Sequence, residues 1–570
     1  MKIKNIMSLA VVMLALASCG DKMDYKEYSI FDEDYVKTTF SRSAGIVTSI
    51  YNDLDYDFGN FSGALLASAT DESVYSHSGN AIEKFYDGGW SPSNNNDASL
   101  WTKCYRGISY ANLFLDEFKD ETFQEYILDL DYKAELHQYQ NLQFEARFLR
   151  AYYYFRLVRA FGGVPLIVSA MDADEANVQP RATADEVFQF INSECNAIKD
   201  TIVKDYSDLG NLQLKSKNET GRVNNLCVLA LKARAALYYA SPLFNPSNDR
   251  ERWHQAAIAN KELIDECKSR GMKLTSDYGS LFQKDNWQNT EECILVRRIS
   301  SSNNNFEKYN FPIGLENAGG GNCPTQNLVD AYEMTNGKAI TDAESGYDPQ
   351  NPYANRDARL AMTVAVNGEQ WPNNILETYQ GGANGQPIAY ATPTGYYLKK
   401  YVNKSLTIGA SNATTERHHW VIFRLAEFYL NYAEAMLNYT GSGYETASGL
   451  NMTAAQALNT VRTRAKQPNI ATDLNATQFA ERLENERFVE LAFEGHRFYD
   501  LRRWKKAGDQ KYRTIRSMLI TKNADGSFTY TPQSDTSTRS YWDDKMYLFP
   551  LAQSEILKSG GKLTQNPGWQ

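Results

Sequence analysis

Apolar residues recur at helical spacing along most of the chain. Their repeat at i, i+3, i+4 and i+7 predicts amphipathic helices rather than strands. The predicted helices span residues 43–54, 100–116, 141–161, 183–202, 224–239, 253–269, 423–438, 453–465 and 477–506. The fold is therefore expected to be mainly α-helical.

Three of the predicted helices alternate small residues with aromatic ones. The strings are EARFLRAYYY at 145–154, LALKARAALY at 229–238 and RLAEFYLNYA at 424–433. A second amphipathic helix follows each of them. Alanine lets two helices approach closely while tyrosine and phenylalanine fill the groove beside it, as in tetratricopeptide pairs. We predict a tetratricopeptide-like scaffold of helical pairs over about 100–270 and 417–507.

The helical pattern stops between about residues 273 and 418. This segment is rich in asparagine, glycine and proline, and aromatic residues such as Tyr309, Trp371 and Tyr396 are scattered through it. A long irregular segment inside a compact protein is usually functional. We predict that this loop-rich insertion carries the ligand-binding face of a single body formed by residues 40–570.

The N-terminus has the features of an exported lipoprotein. Lys2 and Lys4 precede an apolar run that is too short to span a bilayer, and the string LASC ends at Cys19. Small residues before a cysteine let a signal peptidase cut there once the thiol carries diacylglycerol. We predict that residues 1–18 are a signal peptide, that Cys19 is lipidated and that residues 19–39 form a tether. An ordinary cleaved signal with an incidental cysteine is the alternative.

Charge and composition exclude other classes of protein. The 59 basic and 69 acidic residues become 57 and 69 when Lys2 and Lys4 leave with the signal peptide, and no basic cluster points to nucleic acid. The six cysteines beyond Cys19 lack metal-ligand spacing and are expected to be buried thiols. Aromatic residues are abundant, with 37 tyrosines, and their faces are surfaces on which sugar rings stack.

An alternating series of carboxylates resembles the start of a calcium loop. Asp53, Asp55 and Asp57 follow one another at every second position. Phe58 and Ala64, however, occupy the positions at which such a loop needs glycine and an acid. We predict no metal site here, and the carboxylates either bind a polar ligand or belong to a solvated turn.

A second group of polar residues is a candidate for acid–base or metal chemistry. Glu490, Glu494, His496 and Asp500 are close in sequence, and the last two are four residues apart on a predicted helix. The spacing is not that of a zinc protease, and aromatic residues surround the group. We interpret it as a buried polar network between helices, and predict no catalytic residue, metal ion or cofactor.

An aromatic residue in a polar loop is the most suggestive ligand-binding feature. Trp90 lies in the string GGWSPSNNN at 88–96. An indole face beside amide groups offers a sugar both stacking and hydrogen bonds. A tryptophan folded onto its own loop would give the same pattern.

Several strings resemble those of the SusD/RagB family of outer-membrane lipoproteins. They are FEARFLRAYYYF at 144–155, GGVPL at 162–166, PTQNLVDAYE at 324–333, RLAEFYLNYAEA at 424–435, ENERFVELAFEGHRFYDLRRW at 484–504 and QNPGW at 565–569. They follow the family's order along almost the whole mature chain. The resemblance implies a helical body of four tetratricopeptide-like units with a loop-rich ligand face.

The resemblance also implies a location, a partner and a ligand site. The protein would be lipid-anchored in the outer membrane, exposed at the cell surface, and would deliver oligosaccharides to a TonB-dependent SusC-like barrel. Trp90 would be the stacking platform, Tyr396 a second aromatic wall, and two aspartates hydrogen-bond acceptors. The predicted ligand-binding residues are Trp90, Asp57, Asn60, Asp71, Cys323 and Tyr396, of which Cys323 is included by location only.

The predicted function is thus non-catalytic capture of glycans for import, within polysaccharide utilisation. Two alternatives stay open. The ligand could instead be a peptide, in a RagB-like importer. A lipoprotein glycoside hydrolase is the other alternative, and it would need two carboxylates about 5–10 Å apart in a cleft.

Overall fold

The structure is a computed structural model that describes residues 33–209, 221–283, 290–372, 374–535 and 539–570. The predicted signal peptide, the lipidated Cys19 and the tether up to residue 32 lie outside the described residues and stay predictions. The predicted helical character is confirmed. The helices of eight or more residues are α1 Phe40–Tyr51, α2 Ala98–Leu113, α3 Tyr132–Phe161, α4 Ala184–Ile198, α5 Asn225–Ala240, α6 Arg250–Ser269, α7 Leu425–Thr440, α8 Ala454–Arg464, α9 Ala476–Glu490 and α10 His496–Arg503.

Shorter helices are spread through the loops. They span Glu33–Val36, Lys84–Asp87, Ala173–Asn177, Asn305–Asn310, Gln326–Ala331, Ala358–Thr363, Gln510–Arg513 and Gln553–Lys558. No helix in the described part of the chain combines the length and the apolar content that a bilayer crossing requires.

Consecutive helices pack side by side in chain order. From α2 to α8, each helix packs on the next one. The longest helix, α3, is buried over most of its length because its aromatic run faces the core. The hydroxyls in that run are satisfied: Tyr153 donates to the carbonyl of Ile50, and Tyr154 to that of Ile167. The row of helices therefore forms one continuous core with polar tips paired inside it.

The starts of three helices follow directly from their sequences. In each, the side chain before the helix accepts the backbone N–H three residues on, and the side chain of that third residue accepts the backbone N–H of the capping residue. These capping boxes are Thr183 with Glu186, Thr453 with Gln456 and Asn475 with Gln478. They fix the beginnings of α4, α8 and α9 close to the predicted positions.

The prediction of a single helix over residues 477–506 is wrong, because the structure has two helices there. Residues 477–506 have a continuous apolar period, yet α9 ends at Glu490 and α10 begins at His496. Phe493 and Gly495 between them have φ values of 60° and 77°, in the left-handed region that a right-handed helix cannot contain. The backbone N–H of Phe493 instead donates to Glu72 Oε1 at 3.0 Å. A contact from far along the chain thus stabilises the break.

The strands form two-stranded antiparallel sheets. The pairs are β1 Ser73–Tyr75 with β3 Asn322–Pro324, β2 Cys293–Arg298 with β8 His419–Arg424, β4 Val364–Ala365 with β7 Tyr397–Leu398, β5 Gln370–Trp371 with β6 Asn374–Ile375, and β9 Ile515–Lys522 with β10 Phe528–Asp535. β8 explains why α7 begins at Leu425, after the predicted start at 423: the preceding residues pair with β2.

The sheet of β2 and β8 joins the two ends of the predicted insertion. Cys293 pairs with Arg424 at one end of the ladder, and Arg298 pairs with His419 at the other. Between the two strands the described chain has only short helices and two- or three-residue strands. The loop-rich insertion therefore leaves and re-enters the helical body at a single place.

A buried network of ion pairs connects this insertion to the helices. The Arg424 guanidinium donates to Glu490 Oε1 at 2.6 Å and to Glu494 Oε2 at 2.7 Å. Glu490 also accepts from Arg359 at 2.7 Å and from Arg464. We call the connected set the ionic seam; its other members are Glu292, Glu333, Asp357, Lys400, Arg462, Arg482 and Glu486.

The ionic seam confirms the interpretation of Glu490 and Glu494 as part of a polar network. Burial opposes ionisation of Glu490, but the surrounding arginines hold its pKa well below the usual range. Asp500 pairs with Arg487 at 2.6 Å and with Arg503 at 2.8 Å. Burial and nearby arginines lower the pKa of His496, so its imidazole is neutral.

The cysteines behave as predicted. Those at 104, 195, 227, 267 and 323 are buried, Cys293 is partly buried, and all six are free thiols. Burial raises the pKa of the Cys104 thiol to about 12, which keeps it protonated and unreactive.

Candidate ligand-binding site

Trp90, the predicted stacking platform, is buried. Its exposed fraction is 4 %. The indole packs edge-on against Phe85 and Phe549, each with ring centres 4.8 Å away, and against Trp569 at 5.2 Å. The indole is thus packed among rings from the C-terminal part of the chain and from the helix Lys84–Asp87, and this burial argues against the predicted stacking role.

Three other predicted ligand residues are also internal. Asp71 accepts two hydrogen bonds from Arg497, at 2.9 and 2.7 Å, and is 3 % exposed. The Tyr396 hydroxyl donates to Gln326 Oε1, and the ring is fully buried. Cys323 pairs with Val74 between β3 and β1 and is fully buried. Their polar groups are already paired within the protein, which argues against the predicted roles in ligand binding.

Asp57 and Asn60 are the predicted site residues that lie nearest to solvent. They border a polar cavity of about 180 Å³. Both Asp57 carboxylate oxygens are used within the loop: one accepts from the N–H groups of Gly59 and Asn60, and the other from that of Leu66 at 2.7 Å. Burial raises the pKa of Asp57 to about 6.

The interior of this cavity is charged but largely self-paired. Asp55 accepts from Arg159 at 2.9 Å and from the Tyr152 hydroxyl at 3.2 Å, and it also pairs with Arg156. The Asn96 amide, which lines the same cavity, has no protein partner for its oxygen or its nitrogen. The cavity is suited to ordered water more than to a chain of sugar rings.

A set of exposed aromatic rings lies on the loop-rich face. Tyr390 is 54 % exposed and stacks on His77, with ring centres 4.0 Å apart and planes within 9° of parallel. Tyr75 continues the stack beneath His77 at 5.2 Å. Tyr309, 42 % exposed, lies beside Gly63, where an added Cβ would be 3.1 Å from its ring. We call Tyr75, His77, Tyr309 and Tyr390 the aromatic shelf.

A glycine-rich turn supports the aromatic shelf. His77 Nε2 lies 2.6 Å from the Gly319 carbonyl; a carbonyl only accepts, so this nitrogen carries the proton. The Ser76 N–H donates to the Gly321 carbonyl at 2.9 Å, extending the β1–β3 pairing. At Gly320 a Cβ would be only 2.3 Å from the Tyr390 carbonyl oxygen, so this close approach requires glycine.

The buried side chain of Asn322 hydrogen-bonds the segments that support the aromatic shelf. Its side-chain oxygen accepts the backbone N–H of Leu65 at 2.8 Å. Its amide nitrogen donates to the Gly63 carbonyl at 3.1 Å and to Asn310 Oδ1 at 2.8 Å. Asn310 ends the helix that carries Tyr309. One buried amide thus holds β3, the loop under Tyr75 and the Tyr309 helix in register.

The aromatic shelf offers stacking surfaces with polar edges. Among the described residues, no group hydrogen-bonds the hydroxyls of Tyr309 and Tyr390, which leaves them available to a ligand. The buried Ser76 hydroxyl has no protein partner either. Exposed rings next to unpaired hydroxyls match the apolar faces and hydroxyl edges of a sugar chain.

Sequence reasoning did not single out the aromatic shelf. It predicted the insertion as the ligand face, and named Tyr309 only as one of several scattered aromatic residues. His77 carried no local signal. For Tyr390 the available signal was an aromatic residue in a loop of small residues and prolines.

Comparison with known proteins identifies the relatives of the chain. Residues 291–569 match the family model of the SusD family, and residues 31–219 match the model described as starch-binding associating with outer membrane. A SusD-like protein of Bacteroides ovatus is 23 % identical over 568 residues, covering 96 % of this chain and 92 % of the relative. SusD-like protein P2 of Formosa agariphila is 22 % identical and covers 75 % and 73 %.

Solved structures of similar proteins have the same fold. A SusD-like protein of Bacteroides fragilis superposes with a TM-score of 0.75 at 24 % identity, covering 94 % of this chain and 99 % of the other. A laminarin-binding SusD-like protein superposes with a TM-score of 0.63 at 22 % identity, covering 93 % and 99 %. At these identities the likeness establishes the shared architecture.

Proposed function

The chain belongs to the SusD family of carbohydrate-binding proteins, and on this premise we propose that it captures oligosaccharides at the cell surface and passes them to an outer-membrane transporter. The proposal includes the absence of catalysis, because the candidate acidic residues are paired with cations: Glu490 and Glu494 in the ionic seam, and Asp500 with Arg487 and Arg503. The laminarin-binding relative supports a glycan as the ligand class.

The aromatic shelf is the observation that carries this proposal. Tyr390 and Tyr309 are large rings left exposed on a support that is held by hydrogen bonds of His77 and Asn322. Rings held rigidly lose little conformational freedom when a ligand stacks on them. The aromatic shelf is therefore suited to a ligand with apolar ring faces, and Asn60 at the nearby loop can add hydrogen bonds.

Substitution of the exposed rings tests the binding site. Tyr390→Ala and Tyr309→Ala should each weaken binding of the cognate oligosaccharide by about 5- to 100-fold, because each removes one stacking surface. Calorimetry against a panel of glucan oligosaccharides and peptides, with protein lacking residues 1–19, measures the effect. Tyr390→Phe, which keeps the ring, should bind within a few-fold of the wild type.

A remote exposed tyrosine provides the control for this experiment. Tyr110 is 39 % exposed on α2. Tyr110→Ala should bind as the wild type does. Wild-type affinity in both shelf variants would remove the aromatic shelf as the site, and selective binding of the peptides would favour a peptide importer. Shortening of the bound oligosaccharide during the measurement would contradict the absence of catalysis.

We also propose that the protein is lipid-anchored through Cys19 and works with a SusC-like TonB-dependent barrel. The outer-membrane association in the family description supports this location. Oligosaccharides are too large to diffuse across an outer membrane unaided, so capture requires a transporter beside it. A broad interface is needed for such a partner to stay bound while the binding protein moves.

Anchor and partner can be tested together in cells. Full-length tagged protein, solubilised in mild detergent, should carry acyl label and co-purify with a large TonB-dependent barrel. Cys19→Ala should lose the acyl label completely and be found unanchored or uncleaved. Cys104→Ala changes a buried thiol and should leave the label unchanged. Recovery of the labelled protein without any barrel would contradict the import role.

A further inference from the structure

A cluster of two carboxylates and one imidazole lies where the arms of the insertion meet the β2–β8 sheet. It consists of Glu307, Glu416 and His418, and one ligand atom from each lies within 4.8 Å of the others. Glu307 comes from the helix Asn305–Asn310, while the other two precede β8. The backbone of Glu416 exchanges hydrogen bonds with that of Asn303, which fixes the two arms side by side.

The cluster has the geometry of ligands around one ion. His418 Nε2 lies 3.0 Å from Glu307 Oε1. Ligands about 2.0–2.2 Å from a four-coordinate metal are themselves roughly 3.4 Å apart, so only small side-chain shifts are needed to enclose an ion. Asn403 orients both carboxylates: its N–H donates to Glu307 Oε1 at 3.0 Å and its amide to Glu416 Oε2 at 2.6 Å.

A second, independent observation points to a ligand at this place. Glu307 is fully buried, yet its Oε2 has no hydrogen-bond partner. A buried carboxylate oxygen without a partner is costly, because it has lost water and gained nothing in return. The pair with His418 satisfies only the other oxygen. A cation between the three side chains would satisfy Oε2 as well.

We propose that Glu307, Glu416 and His418 bind a divalent transition metal, with Zn²⁺ as the best-matched ion. Imidazole is a preferred ligand of Zn²⁺ and its neighbours, whereas Ca²⁺ and Mg²⁺ take oxygen ligands almost exclusively. Three protein ligands leave one position for water. Glu416 is only partly buried, which gives the ion a route in from solvent.

The metal would hold part of the ligand-binding face in a fixed position. Glu307 is two residues from Tyr309 on the same short helix, so coordination fixes the segment that presents this ring. Phe306 of that helix also packs near the His418 ring, 6.4 Å away. Metal binding itself is independent of which ligand the aromatic shelf takes.

Metal titration of the chelator-treated mature protein tests the site. Zn²⁺ should bind with a stoichiometry near one by calorimetry and raise the midpoint of thermal unfolding. Co²⁺ in place of Zn²⁺ should give a visible absorption band typical of nitrogen and oxygen ligands. Glu307→Gln and His418→Gln should each weaken Zn²⁺ binding by about tenfold or more. Ca²⁺ at equal concentration should not displace Co²⁺.

A second histidine–glutamate pair provides the matched control. His254 Nδ1 lies 3.3 Å from the exposed Glu251 on α6, outside the cluster. His254→Gln should bind Zn²⁺ as tightly as the wild type. If a cluster variant fails to fold, the Co²⁺ spectrum of the wild type tests whether the protein binds the metal through nitrogen and oxygen ligands. Absence of that band, or Zn²⁺ binding unchanged in both cluster variants, would overturn the proposal.

Discussion

Replacing Arg424 by methionine should destabilise the protein by about 3–5 kcal/mol, the cost of leaving buried carboxylates without their cation. Arg424 is 1 % exposed and donates to Glu292, Glu490 and Glu494. Methionine fills much of the volume but provides no charge. The expected result is a large drop in the urea concentration at the midpoint of unfolding, measured by tryptophan fluorescence. The yield of the variant in cells should also be low.

Two companion variants isolate the cause of this loss. Arg424→Lys keeps a charge but not the forked geometry that reaches three carboxylates, and should fall between the wild type and Arg424→Met. Lys338 pairs with Glu344 at the surface, with the glutamate side chain 81 % exposed. Lys338→Met should leave the midpoint unchanged because solvent screens that pair. Equal stability of Arg424→Met and the wild type would show that the ionic seam is dispensable.

Trp90→Ala should cost a similar amount of stability, about 3–5 kcal/mol, while leaving ligand affinity intact. The indole fills a site between Phe85, Phe549 and Trp569, and its loss leaves a cavity that the surrounding rings cannot close. Thermal unfolding measures the first effect. Calorimetry with the cognate oligosaccharide, at a temperature where the variant is folded, measures the second.

Tyr390→Ala is the reciprocal control for Trp90→Ala. Tyr390 is exposed, so its removal should weaken binding and leave the unfolding midpoint nearly unchanged. The two variants therefore separate packing from recognition. A large loss of affinity in folded Trp90→Ala, with little loss of stability, would restore the tryptophan loop as the ligand site.

The helical body was predictable because its signals are local. The period of apolar residues, the alternation of alanine with tyrosine, and the capping residues Thr183, Thr453 and Asn475 all act within a few residues of the structure that they specify. The break between α9 and α10 was not predictable in this way. It depends on Gly495 and on the distant Glu72, which the period of residues 477–506 does not reveal.

The candidate ligand face was predictable only as a region. Trp90 and Asp71 have sequence surroundings typical of exposed loops, but their partners, Trp569 and Arg497, come from more than 400 positions further along the chain. The stack of His77 and Tyr390 likewise exists only after folding brings two loops together. Propensity and composition report on neighbours in sequence, so they cannot distinguish a covered ring from an open one.

The closure of the insertion at β2 and β8 has a consequence for how such proteins diverge. The segment begins after β2 and ends before β8, so the β2–β8 ladder, from Cys293–Arg424 to Arg298–His419, holds its two ends together. A segment of different length or sequence can be inserted between these two strands. Because each doubling of a loop costs only about 0.6 kcal/mol in closure entropy, length is nearly free to vary. The segment can be exchanged only if Glu333, Asp357, Arg359 and Lys400 keep their places in the ionic seam and β3 keeps its pairing with β1. Tyr75 and His77 of the aromatic shelf lie outside this segment, so transplanting recognition between relatives would require exchange of the stretch around β1 as well.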